Sequence, residues 1–194
     1  FFNMQYYPYP SLRKLILLNM LNNNKCFRIL TKILDFVFSK MYTKIINKTP
    51  DNWILNKHIH RVSKRLDFIK KNNSILKHFV DKKYIYINNK RYENINNFIN
   101  LISNSPSFLK LVKPDKMRLI HGDLHFQNIL IKSIDTADII FLDPRGELDG
   151  SDIYYDMGKL FHSFNGLYDF IHTDQYEIEY DINIEAGDKM EWIL

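Results

Sequence analysis

The sequence predicts an α+β fold that is mainly helical, and three observations carry that reading. Apolar residues recur at helical spacing through most of the first hundred positions. From about residue 118 the character changes to short β-like runs separated by polar residues. All six glycines, Gly122, Gly146, Gly150, Gly158, Gly166 and Gly187, fall in the last 73 of the 194 residues. A chain of this length reads as one domain, 1–194, and is long enough to bury roughly 70% of its unfolded surface.

Ser11 is placed to cap a first helix, in which Leu12, Leu15, Ile16 and Met20 share a face. A second helix is expected over residues 27–46, with Leu30, Ile33, Leu34, Val37, Phe38 and Met41 on its stripe. Asp51 is the expected cap of a third, running through Trp53, Ile54, Ile59, Val62, Leu66 and Ile69, and a short helix follows at 75–80. Tyr84-Ile85-Tyr86-Ile87 and Lys90-Arg91-Tyr92 flank Asn88-Asn89, the pattern of a hairpin with a two-residue turn. Another helix, 95–102, should stop before Pro106. Strands are expected at 118–120, 128–131 and 138–142, and a last helix at 155–171.

Composition excludes several classes. Apolar residues make up 45%, aromatics 14% and charged residues 25%, which is globular and not disordered. Cys26 is the only cysteine, so neither a disulfide scaffold nor a cysteine zinc site is available. No apolar run approaches the ~18 residues of a membrane span, and a cytoplasmic protein without a membrane partner is expected. The first residues lack an initiator Met, which suggests a piece of a longer protein. The net charge of +5 divides into +17 over residues 1–134 and −12 over residues 135–194. The basic residues are scattered among helical positions and not gathered into a tail, which argues against nucleic-acid binding. An acidic second part would attract a cationic substrate or a divalent metal.

The chemistry concentrates in His121-Gly122-Asp123-Leu124-His125-Phe126-Gln127-Asn128-Ile129-Leu130, followed by Phe141-Leu142-Asp143-Pro144. An Asp is followed by an Asn five residues later, and by a second Asp at the end of an apolar strand twenty residues on. Phosphoryl transfer from Mg-ATP needs a carboxylate to orient the acceptor hydroxyl and oxygen ligands for the metal. Mg²⁺ accepts carboxylate and amide oxygens and keeps phosphate and water oxygens as further ligands. A loop from Asp123 to Asn128 can turn both inward, and a hairpin can return Asp143 beside them. His121, Asp123 and His125 also spell H-x-D-x-H, but the other histidines are isolated in sequence, which argues against a hydrolase metal cluster. No P-loop or dinucleotide fingerprint is present.

This stretch resembles the catalytic loop and metal-binding Asp of the aminoglycoside phosphotransferase and choline kinase group, small-molecule kinases with a protein-kinase-like fold. The resemblance implies that the chain is the large, C-terminal lobe of such a fold, with short β-hairpins carrying the catalytic loop and the metal Asp. It implies that Asp123 is catalytic, that Asn128 and Asp143 are metal ligands, and that ATP and Mg²⁺ are the cofactors. Tyr154-Tyr155-Asp156-Met157-Gly158 is similar to the family's helix-opening segment, so Asp156, with His121, is expected to support the loop. Residues 1–10 then resemble the hinge that touches adenine, with Asn3, Met4 and Gln5 as candidate contacts, followed by a helical part, 11–117, and the catalytic part, 118–194. The small N-terminal lobe, with its nucleotide-covering loop and phosphate-binding Lys, is absent from the sequence.

Two departures stand out. Asp143 is followed by Pro144-Arg145-Gly146, where many kinases place Gly two residues after this Asp, and Arg145 becomes a candidate contact for a phosphate or an acidic substrate group. His125 and Gln127 occupy loop positions that vary among relatives and receive no role. The expected function is transfer of the γ-phosphate of Mg-ATP to a hydroxyl of a small molecule: an amino sugar, an amino alcohol or a sugar. The alternative is a catalytically incompetent fragment or pseudokinase acting as a binding module.

Overall fold

The computed structural model describes residues 5–146 and 148–177. Helices dominate, and the strands form three two-stranded antiparallel sheets. The described residues divide into two compact units, one of residues 5–48 with Asp115–Gln175 and one of Thr49–Pro114 with residues 176–177.

In the first unit, α1 (Leu12–Leu17) starts where Ser11 leaves helical geometry and its hydroxyl accepts the Lys14 N–H at 3.2 Å. Asn22 caps α2 (Asn23–Phe36) in the same way, through the Lys25 N–H at 2.9 Å. The expected long helix over 27–46 ends early. After a π-helical turn, Val37–Met41, the chain becomes strand β1 (Ile45–Lys48), paired antiparallel to β4 (Lys116–Arg118). Local periodicity favours helix here, but pairing with a distant strand satisfies the backbone of 45–48 and overrides it. Gly150 lets this edge close, because at φ +75° a Cβ there would lie 2.9 Å from Ile46 Cβ and 3.1 Å from the Arg118 carbonyl oxygen.

Strands β5 (Ile129–Ser133) and β6 (Asp138–Phe141) form the hairpin that follows the loop singled out in the sequence. The N-terminal segment lies along β5, with the Ile131 N–H donating to the Pro10 carbonyl at 2.9 Å. The expected single helix over 155–171 is two, α7 (Ile153–Phe164) and α8 (Tyr168–Ile171), broken where Leu167 takes φ +50°. Asp152 caps α7 by accepting the Tyr154 N–H at 2.9 Å. The core of this unit joins Leu12 and Leu15 of α1, Ile29 and Ile33 of α2, Leu124 and Phe126 of the loop, Ile129 and Ile131 of β5, and Leu160 of α7. The loop is therefore anchored by its own apolar side chains.

In the second unit, a helical run continues from a π-helical turn at Leu55–Ile59 into α3 (His60–Asn72), followed by α4 (Ser74–Asp81). Asp51 does not cap this run; its carboxylate takes the Lys113 ammonium at 2.8 Å. Strands β2 (Tyr84–Ile87) and β3 (Lys90–Glu93) form the Asn88-Asn89 hairpin, both turn residues taking positive φ as such a turn requires. Helix α5 (Ile95–Ser103) is followed by α6 (Pro106–Val112), which the sequence reading missed. Pro106 opens this helix where a stop was expected, because a proline at the first helical position forgoes an N–H that has no partner there anyway. The buried Asn94 side chain ties the unit together, donating to the carbonyls of Phe79 and Lys82 at 2.5 and 2.6 Å.

Ile33 is fully buried in the first unit's core. Ile33→Ala should lower the unfolding free energy by about 2–5 kcal/mol, read from the urea midpoint, because the site can collapse only in part.

Candidate functional site

The loop from His121 to Asn128 is built around one buried carboxylate. Asp156, in the first turn of α7, has no exposed surface. Its Oδ2 accepts the His121 N–H at 2.7 Å, its Oδ1 accepts the Gly122 N–H at 2.8 Å, and the Tyr42 hydroxyl donates to Oδ2 at 3.2 Å. Burial pushes the Asp156 carboxyl above its ordinary pKa, and the two backbone N–H groups pull against that shift. The Tyr42 hydroxyl is pushed up too, by burial first and then by the neighbouring carboxylate.

Gly122 is required at the start of the loop. It sits at φ +81°, and a Cβ there would lie 2.9 Å from Arg145 Cβ. This close approach lets the Arg145 N–H donate to the His121 carbonyl at 2.9 Å, which ties the chain after Asp143 back to the chain before Asp123.

Asp123 and Asn128 face each other across a 3₁₀ turn, Phe126–Asn128, and Asn128 Nδ2 donates to the Asp123 carbonyl at 3.0 Å. That bond uses the amide nitrogen and leaves Oδ1 as the atom Asn128 can offer a ligand. The Asn128 carbonyl accepts the Leu142 N–H at 2.9 Å, so Asp143 follows the residue bonded to Asn128 across the hairpin. Asp143 is exposed and takes φ +54°, a conformation non-glycine residues adopt at a cost of order 1–3 kcal/mol. Its carboxylate forms no hydrogen bond or ion pair among the described residues, but it is close enough to act electrostatically on His121.

The Asp123 carboxylate meets two cations and an imidazole. Lys159 of α7 brings its Nζ to 2.8 Å from Oδ1, an Arg145 Nη lies 3.8 Å from the same oxygen, and His125 Nε2 lies 3.7 Å from Oδ2. Burial works to raise the Asp123 pKa, but Lys159, then His125 and Arg145, outweigh it and hold the carboxyl below its ordinary value. The other Arg145 Nη donates to the Tyr155 hydroxyl at 3.2 Å.

Lys159 was not anticipated, although the sequence held a signal for it. Asp156, Lys159 and Ser163 recur at helical spacing, so a helix that turns Asp156 to the loop turns the other two there as well. Ser163 Oγ duly accepts the Phe126 N–H at 3.3 Å. Of the expected hinge contacts, Asn3 and Met4 lie outside the described residues. Gln5 is exposed, and its Oε1 accepts the Tyr7 hydroxyl at 2.9 Å.

His125 also meets aromatic neighbours: His162 at 6.4 Å between ring centroids and Tyr168 at 6.4 Å, with His162 and Tyr168 edge-to-face at 4.1 Å. Burial pushes both imidazoles below their ordinary pKa, against the pull of Asp123 and Asp169. Among the described residues no group of three or more His, Cys, Asp or Glu side chains is placed to hold a metal ion. The site's cation chemistry would rest instead on one carboxylate and one amide oxygen.

No family model, no curated protein and no solved structure matches this chain.

Two outcomes follow from these contacts. Asp156→Ala leaves two buried backbone N–H groups without acceptors and should cost about 3 kcal/mol or more, measured by urea denaturation. Asp156→Asn, which keeps one acceptor oxygen, should cost less. The pH dependence has a definite sign, because His125 and His162 have folded pKa values below the ordinary 6.5. As pH falls through about 6.5 the unfolded chain binds protons first, so their contribution is complete above that value and is lost as pH falls through the folded values. The urea midpoint should drop between about pH 7.5 and 5.5, and His162→Phe should flatten that slope.

Proposed function

We propose that the chain belongs to a phosphotransferase of the aminoglycoside phosphotransferase and choline kinase kind, and forms the large lobe of its protein-kinase-like fold. It moves the γ-phosphate of Mg-ATP to a hydroxyl of a small molecule. The observation that carries this reading is the Asn128 Nδ2 bond to the Asp123 carbonyl at 3.0 Å, in a loop whose backbone is held by the buried Asp156 at 2.7 and 2.8 Å. That arrangement presets the two side chains relative to each other before any ligand arrives, as a positioning catalyst requires.

The donor set suits magnesium. Asn128 Oδ1 and the Asp143 carboxylate are hard oxygen ligands, and the strained Asp143 backbone is the kind of local cost that accompanies a working site. Asn128 and Asp143 would hold Mg²⁺, which supplies neutralisation of the phosphate charge.

Asp123 holds and aims the acceptor hydroxyl. Oδ1 is taken by Lys159 at 2.8 Å, so Oδ2, 3.7 Å from His125, is the oxygen that receives the hydroxyl. A carboxylate held below its ordinary pKa is a poor base before attack. With a loose transition state the hydroxyl proton moves late, so orientation outweighs basicity. Lys159 fixes the Asp123 carboxylate, and Arg145, anchored through its backbone to His121, adds positive charge beside it.

A second reading, a silent module that binds ligand without turnover, draws on the same 2.8 Å ion pair, since an ammonium competes with the hydroxyl for Asp123. Substitution separates the two. Asp123→Asn should lower ATP-dependent phosphorylation, followed with a panel of sugars, amino sugars and amino alcohols, by about 10³-fold or more. Mg-nucleotide affinity should change little. Parallel loss of nucleotide binding would make Asp123 a ligand or a brace, and absence of turnover with every acceptor in the parent protein would favour the silent module.

A further inference from the structure

The second part of the sequence is acidic, with a net charge of −12 over residues 135–194, yet two of its three basic residues, Arg145 and Lys159, are brought to one carboxylate oxygen. Helix α7 carries Lys159 there because Asp156, one turn earlier, is pinned to the loop. Arg145 is carried there because its N–H is held by the His121 carbonyl and because Gly122 has no side chain to push it away. Neither cation is a loose surface group that happens to lie nearby.

The charged neighbours that act most strongly on Asp123 are Lys159, His125 and Arg145. His125 is kept toward its neutral form, by burial first and by Lys159 among its charged neighbours. Against Lys159 and Arg145 there stands the Asp123 carboxylate itself, while Asp143 is assigned above to the metal. Two cations thus meet at Oδ1 of a carboxylate whose other oxygen receives the acceptor. Both cations are reachable from solvent, with side-chain exposures of 25% for Lys159 and 39% for Arg145.

We propose that the acceptor carries an oxyanion, a phosphate or carboxylate, next to its reacting hydroxyl, and that Lys159 and Arg145 are the specificity-determining pair that receives it. This deepens the phosphotransferase reading and rests on it. An ammonium has three donors, so Lys159 can hold Asp123 and an oxyanion together. The guanidinium bonds Tyr155 through one Nη and can turn its other N–H groups to the same anion in a fork. An acceptor ammonium at this place meets two like charges, so amino sugars and choline-like amines are selected against.

The test is calorimetric titration of the full-length protein with glucose 6-phosphate, glucuronate, glucose and glucosamine, with and without a saturating non-hydrolysable Mg-ATP analogue. An anionic sugar should bind about tenfold or more tightly than glucose, and glucosamine more weakly than glucose. Lys159→Gln and Arg145→Gln should each remove most of that preference while the circular dichroism spectrum stays that of the folded parent, and Lys159→Arg should keep it. Equal or tighter binding of glucose or glucosamine overturns the proposal, as does a preference that survives both glutamine variants. Displacement of the anionic sugar by the nucleotide analogue also overturns it, since the two cations would then serve the nucleotide's phosphates. Anion preference without any nucleotide binding sinks the phosphotransferase reading alone and leaves the anion site standing.

Discussion

The loop that carries the candidate chemistry depends on a single buried charge. Asp156 is fully enclosed, and a carboxylate in such a place is tolerable only when its oxygens are hydrogen-bonded. The partners it takes are the N–H groups of His121 and Gly122, the two residues that lead into Asp123. Electrostatics and desolvation therefore act on the same bonds. The loop cannot leave without exposing a carboxylate to an apolar interior, and α7 cannot shift without breaking the loop's entry. Tyr42, at the end of the π-helical turn after α2, closes the cage from a third element.

From that brace the remaining geometry follows. With the entry fixed, the turn through Phe126 brings Asn128 back to the Asp123 carbonyl, and the hairpin that Asn128 opens returns the chain to Asp143. With α7 fixed, Lys159 is delivered to Asp123 from one side, and Arg145 comes from the other through its bond to His121. The depressed Asp123 pKa is a consequence of this delivery, because burial by itself would move it the other way. A carboxylate prepared in this manner is suited to orienting a group more than to removing a proton.

Much of the fold was legible locally. Ser11, Asn88-Asn89 and the alternation of apolar residues each mark structure through short-range chemistry: a cap, a turn with positive φ, a buried face. The misreadings share a cause. Residues 45 and 46 stand at the end of the expected helix but, with 47 and 48, find a strand partner about seventy positions away, and nothing in their own sequence announces Lys116–Arg118. Pro106 was read as a stop when it is a start, since the same missing N–H suits either end of a connection. The break at Leu167 arises from a backbone turn that the apolar spacing over 155–171 does not record.

By itself the sequence determined that oxygen-bearing side chains stand at Asp123, Asn128 and Asp143, that the chain is α+β and mainly helical, and that disulfide and cysteine–zinc chemistry is unavailable. These follow from identity and spacing, which need no third dimension. Only the tertiary structure decided what surrounds Asp123. Lys159, Arg145 and His125 are spread over thirty-five positions, and the acidic average of their part of the chain points to the opposite charge environment. Electrostatic energy depends on distance in space, and the distances of 2.8 to 3.8 Å that set the character of this site exist only once α7, the loop and the hairpin are assembled.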